Sequence, residues 1–277
     1  MAADFTIEDV TYHSPGGMTL LARLYRPVTP GPHPAVIDVH GGRWCSETRL
    51  TNACIDEAVA ASGVVVMALD FRMPPLVQYP VPVADINLAI RWLRAHAAEY
   101  EIRPDWIGGI GTSSGGHQLA LNGLNPDAPA YRQDHPAEMS GVSADLAFMV
   151  LCWPVSDPPA RYAYAIERKM DIHVQSHNAY WPDEATMSLG SPQRIVTEGE
   201  AATLPPTLLI QGDADVILAP GMSDRFAAAF RTAGGDLEFH TFPGEAHTFI
   251  TKNPSSAASR DALEHIVTFI HRRTDAA

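Results

Sequence analysis

Residues 107–116 read IGGIGTSSGG and place two adjacent serines between glycines. The pattern G-x-S-x-G fits with Ser113 at its centre, whereas centring it on the second serine would put a threonine where the first glycine belongs. An apolar run, WIGGIG, precedes the pattern and a helical run, SGGHQLALNGL, follows it. A strand that turns directly into a helix needs small residues around the turn, and Gly111 and Gly115 satisfy this condition. The sequence therefore predicts that Ser113 projects from the carboxyl end of a sheet, beside the positive end of a helix.

Apolar runs and helical patterns alternate through the rest of the chain. Two extended runs around SPGG, within residues 5–28, are typical of a β-hairpin. The later short apolar runs, typical of strands buried on both faces, span residues 35–40, 64–71, 106–111, 146–155, 207–212 and 237–242. Helical patterns are clearest over 83–100 and 223–235. The alternation predicts one α/β domain over 1–277, with helices on both faces of a mostly parallel sheet; a tight two-domain chain is the alternative.

Residues 157–203 interrupt this alternation. They lie between two predicted strands, contain several aromatic residues and no strand-like run, and are much longer than an ordinary connection. We therefore predict a helical insertion that forms a lid.

The charge balance argues against several classes of partner. The chain has 32 acidic and 19 basic residues and a formal net charge of -13, so neither nucleic acid nor an anionic membrane surface is an expected partner.

The longest apolar run, VVVMAL at 64–69, is too short to span a bilayer, and the N-terminus lacks a signal-peptide pattern. The chain has an odd number of cysteines, Cys45, Cys54 and Cys152, and they lack C-x-x-C spacing. The sequence therefore does not predict a disulfide framework. These features predict a soluble, cytoplasmic protein, and a homodimer is left open.

A nucleophilic serine needs a base to accept its proton and an acid to orient that base. GDAD, just after the predicted strand at 207–212, offers Asp213 and Asp215, and His247 lies in a turn after the last predicted strand. When a nucleophilic serine lies on a sharp turn from a strand into a helix, its acid and base follow it along the chain in the order Ser, Asp, His. We predict Asp215 as the acid, because its position lets the loop reach His247, and Asp213 as a carboxylate that caps the loop.

The intermediate of acyl transfer also needs N–H donors directed at its oxyanion. HGGRW, at 40–44, follows a predicted strand and offers backbone without bulky side chains. The predicted donors are the N–H groups of Gly42 and Arg43, together with the N–H of Ser114, which follows the nucleophile. We expect Ser114 to act through its backbone. The ring of His40 is expected to hydrogen-bond to the backbone and shape this loop.

In this order and spacing, HGGRW, LDFRMPPLVQYPVPVADINLAIRWL, GTSSGG, GDAD and GEAHTF resemble the α/β-hydrolase superfamily. Within it they are similar to esterases related to hormone-sensitive lipase, to feruloyl and acetyl esterases and to kynurenine formamidase. The resemblance spans about residues 35–250. It implies a mainly parallel eight-stranded sheet, a serine acyl-enzyme mechanism, no cofactor, and a cap after the sixth strand, at 157–203. Two positions depart from the pattern: Arg43 replaces a frequent third glycine, and Thr112 replaces an acidic residue before the serine.

Several other side chains are open to more than one interpretation. His173 and His177 could share a helix face, but no third ligand is near in sequence and no metal site is predicted. Trp44 and Trp181 are predicted to contact substrate, with lid packing as the alternative for Trp181. Arg43 is either a solvated loop charge or a partner for an anionic group on the substrate.

These observations predict a serine hydrolase of small-molecule carboxylic esters with a short acyl group, working without a metal or cofactor. Ser113 would attack the ester carbonyl, His247 would transfer the proton, and Asp215 would orient the imidazole of His247. An amidase, lactonase, carbamate hydrolase or acyltransferase would use the same residues. A binding protein that has lost turnover is a further alternative, but it would have no need for all three groups.

Overall fold

A single eight-stranded sheet runs through residues 4–274, the part of the chain that the computed structural model describes. The strands are β1 (Phe5–His13), β2 (Leu20–Pro27), β3 (His33–Val39), β4 (Val65–Leu69), β5 (Ile102–Thr112), β6 (Met149–Cys152), β7 (Thr207–Gly212) and β8 (Leu237–Phe242). They lie in the order β1-β2-β4-β3-β5-β6-β7-β8. β2 pairs antiparallel with β1 and β4, and the other pairings are parallel. The mostly parallel sheet is thus confirmed; the predicted domain span of 1–277 includes 1–3 and 275–277, which lie outside the described residues.

β1 and β2 form a hairpin, as the SPGG pattern predicts, and this hairpin lies at one edge of the sheet. Its strands pair from Phe5 opposite Pro27 onward. Asp9 on β1 is held by Arg23 on β2, at 2.9 Å, and by Arg49, at 2.8 Å. Because both arginines donate to this carboxylate, its pKa lies well below the ordinary value.

The central strands differ from the prediction mainly at their ends. β5 begins at Ile102, earlier than the predicted start at residue 106. β6 is much shorter than the apolar run at 146–155, because Trp153 adopts a φ of 42° and turns the chain out of the sheet. The apolar residues that follow β6 therefore lie in a buried loop. Because the loop is as apolar as the strand, the sequence pattern does not show where β6 ends.

Helices cover both faces of the sheet, as predicted. They are α1 (Ala53–Ala60), α2 (Val81–Ala95), α3 (Ser114–Leu124), α4 (Pro158–Glu167), α5 (Asp171–Tyr180), α6 (Glu184–Leu189), α7 (Pro192–Thr197), α8 (Met222–Thr232), α9 (Phe249–Lys252) and α10 (Ala257–Thr274). Alternation along β3 separates two apolar cores: Ile37 and Val39 join that of α2, α3 and α8, and Val36 joins that of α1 and α10. Across residues 4–274, no helix combines the length and hydropathy that a membrane span needs.

The insertion after the sixth strand is helical, as predicted. α4 to α7 occupy the connection between β6 and β7 and form a cap. Asp157, Asp183 and Ser191 each accept a hydrogen bond from the backbone N–H three residues later, at the start of α4, α6 and α7 respectively. These N-caps help three of the four short helices to form in a segment without long apolar stripes, because each satisfies an otherwise unpaired donor; α5 begins without a side-chain cap.

The turn from β5 into α3 brings the helix unusually close to the sheet. Ser113 adopts φ 52° and ψ -118°, a conformation that L-residues rarely adopt. A Cβ on Gly115 would lie 2.0 Å from the carbonyl oxygen of Val39 and 2.3 Å from that of His40. A Cβ on Gly111 would lie 2.8 Å from the Cα of Gly116. The two glycines of the motif therefore allow α3 to begin against the carboxyl end of β3.

A buried polar cluster lies behind this turn. The amide of Asn52 donates to both carboxylate oxygens of Asp38, at 3.0 and 3.1 Å, and lies 3.3 Å from the hydroxyl of Thr112. Both carboxylate oxygens of Asp56 are buried without a hydrogen-bond partner among the described residues. Burial raises the pKa of Asp56 well above its ordinary value, and the charges of Asp38 and Glu57 raise it further. The sequence patterns considered above gave no indication of this cluster.

Gly115→Ala is expected to lower the free energy of unfolding by about 2–4 kcal/mol. The added methyl group would meet backbone carbonyls of β3, which cannot move without disturbing the centre of the sheet. Chemical denaturation measures the change. Gly141→Ala is the matched control, because a Cβ there meets nothing within 4 Å. Equal stability of the two variants would show that α3 is not held against β3 in this way.

Asp56→Asn is expected to weaken the pH dependence of stability. A carboxyl group whose pKa rises on folding keeps a proton that the unfolded chain has released, so stability falls as pH rises from the unfolded pKa towards the folded one. Between about pH 5 and pH 8, the wild type should lose more than about 1 kcal/mol relative to the variant. Denaturant titrations at both pH values test this. Glu99→Gln, which removes an exposed carboxylate that does not contribute to the pKa of Asp56, should follow the wild type. If Asp56→Asn shows the same pH dependence as the wild type, the assignment is wrong.

Candidate active site

Three side chains predicted to work together form a continuous hydrogen-bonded chain. The Oγ of Ser113 lies 2.9 Å from Nε2 of His247, and Nδ1 of His247 lies 2.7 Å from Oδ2 of Asp215. Ser113 follows β5, Asp215 follows β7, and His247 follows β8. The carboxyl ends of parallel strands share one edge of a sheet, and for this reason residues more than a hundred positions apart meet there.

The environment of the two candidate acids distinguishes their roles. Oδ1 of Asp215 accepts hydrogen bonds from the N–H groups of Ile217, at 2.8 Å, and Leu218, at 3.2 Å, and Oδ2 accepts one from the amide of Gln211 at 2.8 Å. Burial raises the pKa of Asp215, but the hydrogen bonds, first that from His247, outweigh it and hold the pKa below its ordinary value. Asp215 is thereby held in its ionised form beside the imidazole.

Asp213 lies in the same loop but has a different partner. Its carboxylate accepts a hydrogen bond from the N–H of Gly244 at 2.6 Å, and its side chain is exposed. It therefore joins the loop after β7 to the turn after β8. The structure brings Asp215, and not Asp213, to His247.

The loop after β3 carries two of the predicted oxyanion donors. Gly42 and Arg43 have φ values of 93° and 57°. A Cβ on Gly42 would lie 2.1 Å from the carbonyl oxygen of Ser46, so only glycine fits this tight turn. Within residues 4–274, the N–H groups of Gly42, Arg43 and Ser114 donate to no protein acceptor. Gly42 and Arg43 line the same cavity as Ser113, which leaves these donors available beside it.

The side chain of Ser114 has a role that the sequence analysis did not assign. Its Oγ accepts a hydrogen bond from the N–H of Trp44 at 3.0 Å. This bond joins the residue after the predicted nucleophile to the residue after Arg43. His40 shapes the other end of the loop: its Nδ1 lies 2.9 Å from the carbonyl oxygen of Gly41, and its ring stacks on Phe71 at 4.5 Å.

Trp44 and Trp181 are placed in a packed aromatic cluster and do not line the cavity at Ser113. Trp44 stacks on Tyr180 with ring centroids 5.0 Å apart, and its indole N–H donates to Nδ1 of His117 at 3.1 Å. His117 in turn donates through Nε2 to the carbonyl oxygen of Gly190 at 2.8 Å, and burial lowers its pKa to about 4. The predicted substrate contacts are therefore corrected: both tryptophans fasten the cap to the loop after β3 at residues 40–44, the predicted oxyanion loop.

A cavity of about 370 Å³ opens at Ser113 and His247. The cap contributes Arg161 and His173 to its wall, and Trp153 lies at the end of β6 with its ring centroid 6.2 Å from that of His247. The sequence analysis considered His173 only as a metal ligand and did not select Arg161. In the described part of the chain, no group of three or more His, Cys, Asp or Glu side chains is arranged to hold a metal ion. His177 packs instead against Trp44, with ring centroids 4.9 Å apart.

Residues 23–230 match the protein family described as BD-FAE. The esterase LipC of Mycobacterium tuberculosis is 28% identical over 253 residues, which cover 87% of this chain and 59% of LipC. The versiconal hemiacetal acetate esterase of Dothistroma septosporum is 34% identical over 231 residues, which cover 79% of this chain and 67% of that protein. The chain thus spans less than two thirds of the length of LipC.

Solved structures give a similar result over the whole fold. The propionate-bound esterase Est2 of Thermogutta terrifontis has a TM-score of 0.77 and 26% sequence identity, covering 98% of this chain and 94% of that chain. The same esterase phosphorylated by paraoxon has a TM-score of 0.78. The eight-stranded sheet, the helical cap and the match over residues 23–230 lead to one conclusion: this chain belongs to the BD-FAE family and has the α/β-hydrolase fold.

Proposed function

We propose that this protein is a serine hydrolase that cleaves small carboxylic esters with Ser113, His247 and Asp215. The observation that carries the proposal is the continuous chain of hydrogen bonds from Oγ of Ser113 to the carboxylate of Asp215, beside backbone N–H groups without protein acceptors. A capping serine or a surface histidine would need neither feature. The names of the relatives, LipC and the versiconal hemiacetal acetate esterase among them, support the same class of reaction.

The geometry accounts for each step of acyl transfer. Oγ of Ser113 attacks the ester carbonyl while Nε2 of His247 takes its proton, and the carbonyl oxygen becomes an oxyanion. His247 then gives this proton to the departing alkoxide, which leaves as the alcohol and produces an acyl-serine ester. Water, deprotonated by His247, attacks that ester, and Ser113 recovers its proton as the carboxylic acid departs. Asp215 stays ionised throughout and holds Nδ1–H of the imidazole in place.

The oxyanion is proposed to bind at the N–H groups of Gly42, Arg43 and Ser114. The Ser114 N–H lies at the start of α3, where a helix has donors without internal acceptors and a partial positive charge. The bond from Trp44 to Oγ of Ser114 supports this role, because it fixes the loop that carries the other two donors relative to the nucleophile. Donors fixed in advance stabilise the transition state more than donors that must reorganise.

Replacement of the triad residues provides the test of this function. Ser113→Ala and Asp215→Asn are each expected to lower kcat for p-nitrophenyl acetate by about 10⁴-fold, the second because an asparagine amide favours the wrong tautomer of His247. Asp213→Asn is the matched control and should keep activity of the wild-type order. An organophosphonate should add its mass at Ser113. Full activity of Ser113→Ala, labelling elsewhere, or a greater loss in Asp213→Asn would overturn the assignment.

The cavity also supports a preference for short acyl groups. Its apolar side chains are those of Trp153 and Ile217, and the remaining lining residues are glycine, polar or charged. The aromatic residues of the cap are packed against one another and do not extend this apolar surface. Esterase 2 of Thermogutta terrifontis, which this chain resembles, has been solved bound to propionate and to butyrate. Both ligands are short carboxylates, as a small acyl site would accept.

A series of p-nitrophenyl esters with increasing acyl length measures this preference. Each methylene that fits should add about 0.8 kcal/mol of burial, whereas overpacking a full cavity costs about 1–3 kcal/mol. We therefore expect kcat/KM to be highest between acetyl and butyryl esters and to fall by the octanoyl ester. Emulsified and dissolved substrate should be cleaved alike. A maximum at decanoyl or longer esters would contradict the short-chain assignment.

A further inference from the structure

Cationic side chains surround the candidate active site, in a chain whose formal net charge is -13. Arg43 from the oxyanion loop, Arg161 from α4 and Lys252 at the end of α9 line the cavity that contains Ser113. One carboxylate, that of Glu47, lines it as well and accepts a hydrogen bond from Thr51 at 3.2 Å. Glu47 and Lys252 are both exposed, whereas the two arginines are partly or fully buried. The wall of the cavity therefore carries a local excess of positive charge, opposite in sign to the whole chain.

Arg161 is the most unusual of these cations. It is 2% exposed, and its guanidinium makes a single hydrogen bond, from Nε to the carbonyl oxygen of Ile217 at 3.4 Å. Nη1 is buried without a hydrogen-bond partner, and no carboxylate within residues 4–274 forms an ion pair with Arg161. A buried charge without a partner is costly, so its place beside a cavity calls for an acceptor that occupies the cavity.

The charges around Arg161 do not supply that acceptor. Burial, followed by the positive charge of Arg43, lowers the pKa of Arg161 to about 10, so the guanidinium remains protonated at neutral pH. Asp215 attracts it, but the oxygens of Asp215 already accept hydrogen bonds from His247, from the amide of Gln211 on β7 and from the N–H of Ile217. Both arginines therefore line the same cavity, and neither forms an ion pair with a carboxylate among residues 4–274.

The cavity also has a surplus of hydrogen-bond donors. Four buried nitrogen atoms that lack a partner among the described residues belong to side chains that line it: Nε of Arg43, Nη1 of Arg161, Nε1 of Trp153 and Nδ1 of His173. Burial, with the nearby charges of Arg161 and Arg43, lowers the pKa of His173 to about 4, so its imidazole is neutral and adds no further charge. Three of the four nitrogens are obligate donors. Such a set suits a ligand rich in acceptors and negatively charged.

We propose that the preferred substrate is an ester that also carries a carboxylate, which binds to Arg161 with the help of Arg43. This inference rests on the proposed function and specifies its substrate class. The planar guanidinium can donate two parallel hydrogen bonds to a carboxylate, which orients the ester as well as attracting it. The sequence left two roles open for Arg43, a solvated loop charge or a partner for an anionic group on the substrate. This proposal favours the second role.

The other explanation for these cations is that they stabilise the oxyanion directly. That effect would be the same for every ester, whatever charge the substrate carries elsewhere. The two explanations are therefore separated by comparing esters that differ in charge and share the same scissile bond.

Two matched pairs of esters provide the comparison. Monomethyl glutarate carries the carboxylate on the acyl half, acetoxyacetate carries it on the alcohol half, and each is paired with the neutral ester in which a primary amide replaces the carboxylate. The wild type should prefer the anionic member of at least one pair by roughly 10- to 100-fold in kcat/KM, measured by pH-stat titration. A preference for the neutral member in both pairs would overturn the proposal.

Substitution of the arginines tests the residue assignment. Arg161→Gln should reduce the ratio of anionic to neutral kcat/KM by roughly tenfold or more, and Arg43→Gln should reduce it less. Arg168→Gln is the matched control, because it removes an exposed arginine that follows the same helix and should leave the ratio as in the wild type. Circular dichroism checks that each variant folds. If Arg161→Gln does not fold, the Arg43→Gln variant decides, and an unchanged ratio would contradict the proposal.

A binding measurement separates this inference from the proposed function. Glutarate should bind to the Ser113→Ala variant, measured by calorimetry, and the additional Arg161→Gln substitution should weaken that binding by roughly tenfold or more. If p-nitrophenyl acetate is cleaved but the variant binds neither glutarate nor glycolate, which is the alcohol product of acetoxyacetate, the anion site alone is wrong. If no ester is cleaved but glutarate binds through Arg161, the anion site stands and the hydrolase assignment is wrong.

Discussion

The hydrogen bond from the N–H of Trp44 to Oγ of Ser114 joins the two halves of the candidate active site. On one side is the loop after β3, with the free donors of Gly42 and Arg43; on the other is the turn that presents Ser113. The bond can form only because α3 begins in contact with the end of β3, and that contact depends on Gly115. The spacing between the proposed nucleophile and the proposed oxyanion donors is thus determined by backbone packing at the centre of the sheet.

The cap depends on the same residue. The indole N–H of Trp44 donates a hydrogen bond to His117, and His117 donates one to the carbonyl oxygen of Gly190. The ring of Trp44 also stacks on that of Tyr180. The oxyanion loop, α3 and the cap are therefore one connected unit, in which a single tryptophan contributes its backbone to one partner and its side chain to others. A neutral His117 is needed here, since one ring nitrogen accepts and the other donates, and its burial maintains that state.

The sequence predicted the parts of the site that depend on local pattern. The glycines around Ser113 determine the turn from strand to helix. The alternation of strands and helices determines which loops lie at the same edge of the sheet. The prediction of Asp215 follows from its position in the loop after β7. Trp44 and Trp181 were assigned wrongly, because their composition suits a pocket and a packed cluster equally well. Arg161 was not selected, because nothing near it in sequence indicates that its helix folds back over Ser113. The hydroxyl of Ser114 was overlooked for the same reason: its partner, Trp44, is distant in the chain.

The hairpin edge of the sheet has a consequence for association between molecules. Among residues 4–274, β1 pairs only with β2, and a strand edge of this kind can recruit a strand from another chain. Here the strand carries Glu8 and Asp9, which form ion pairs with Arg26, Arg23 and Arg49 at the surface. A strand added along β1 would displace the water that solvates these charges and would gain no apolar contact in return. Charged side chains therefore protect this edge against intermolecular strand addition.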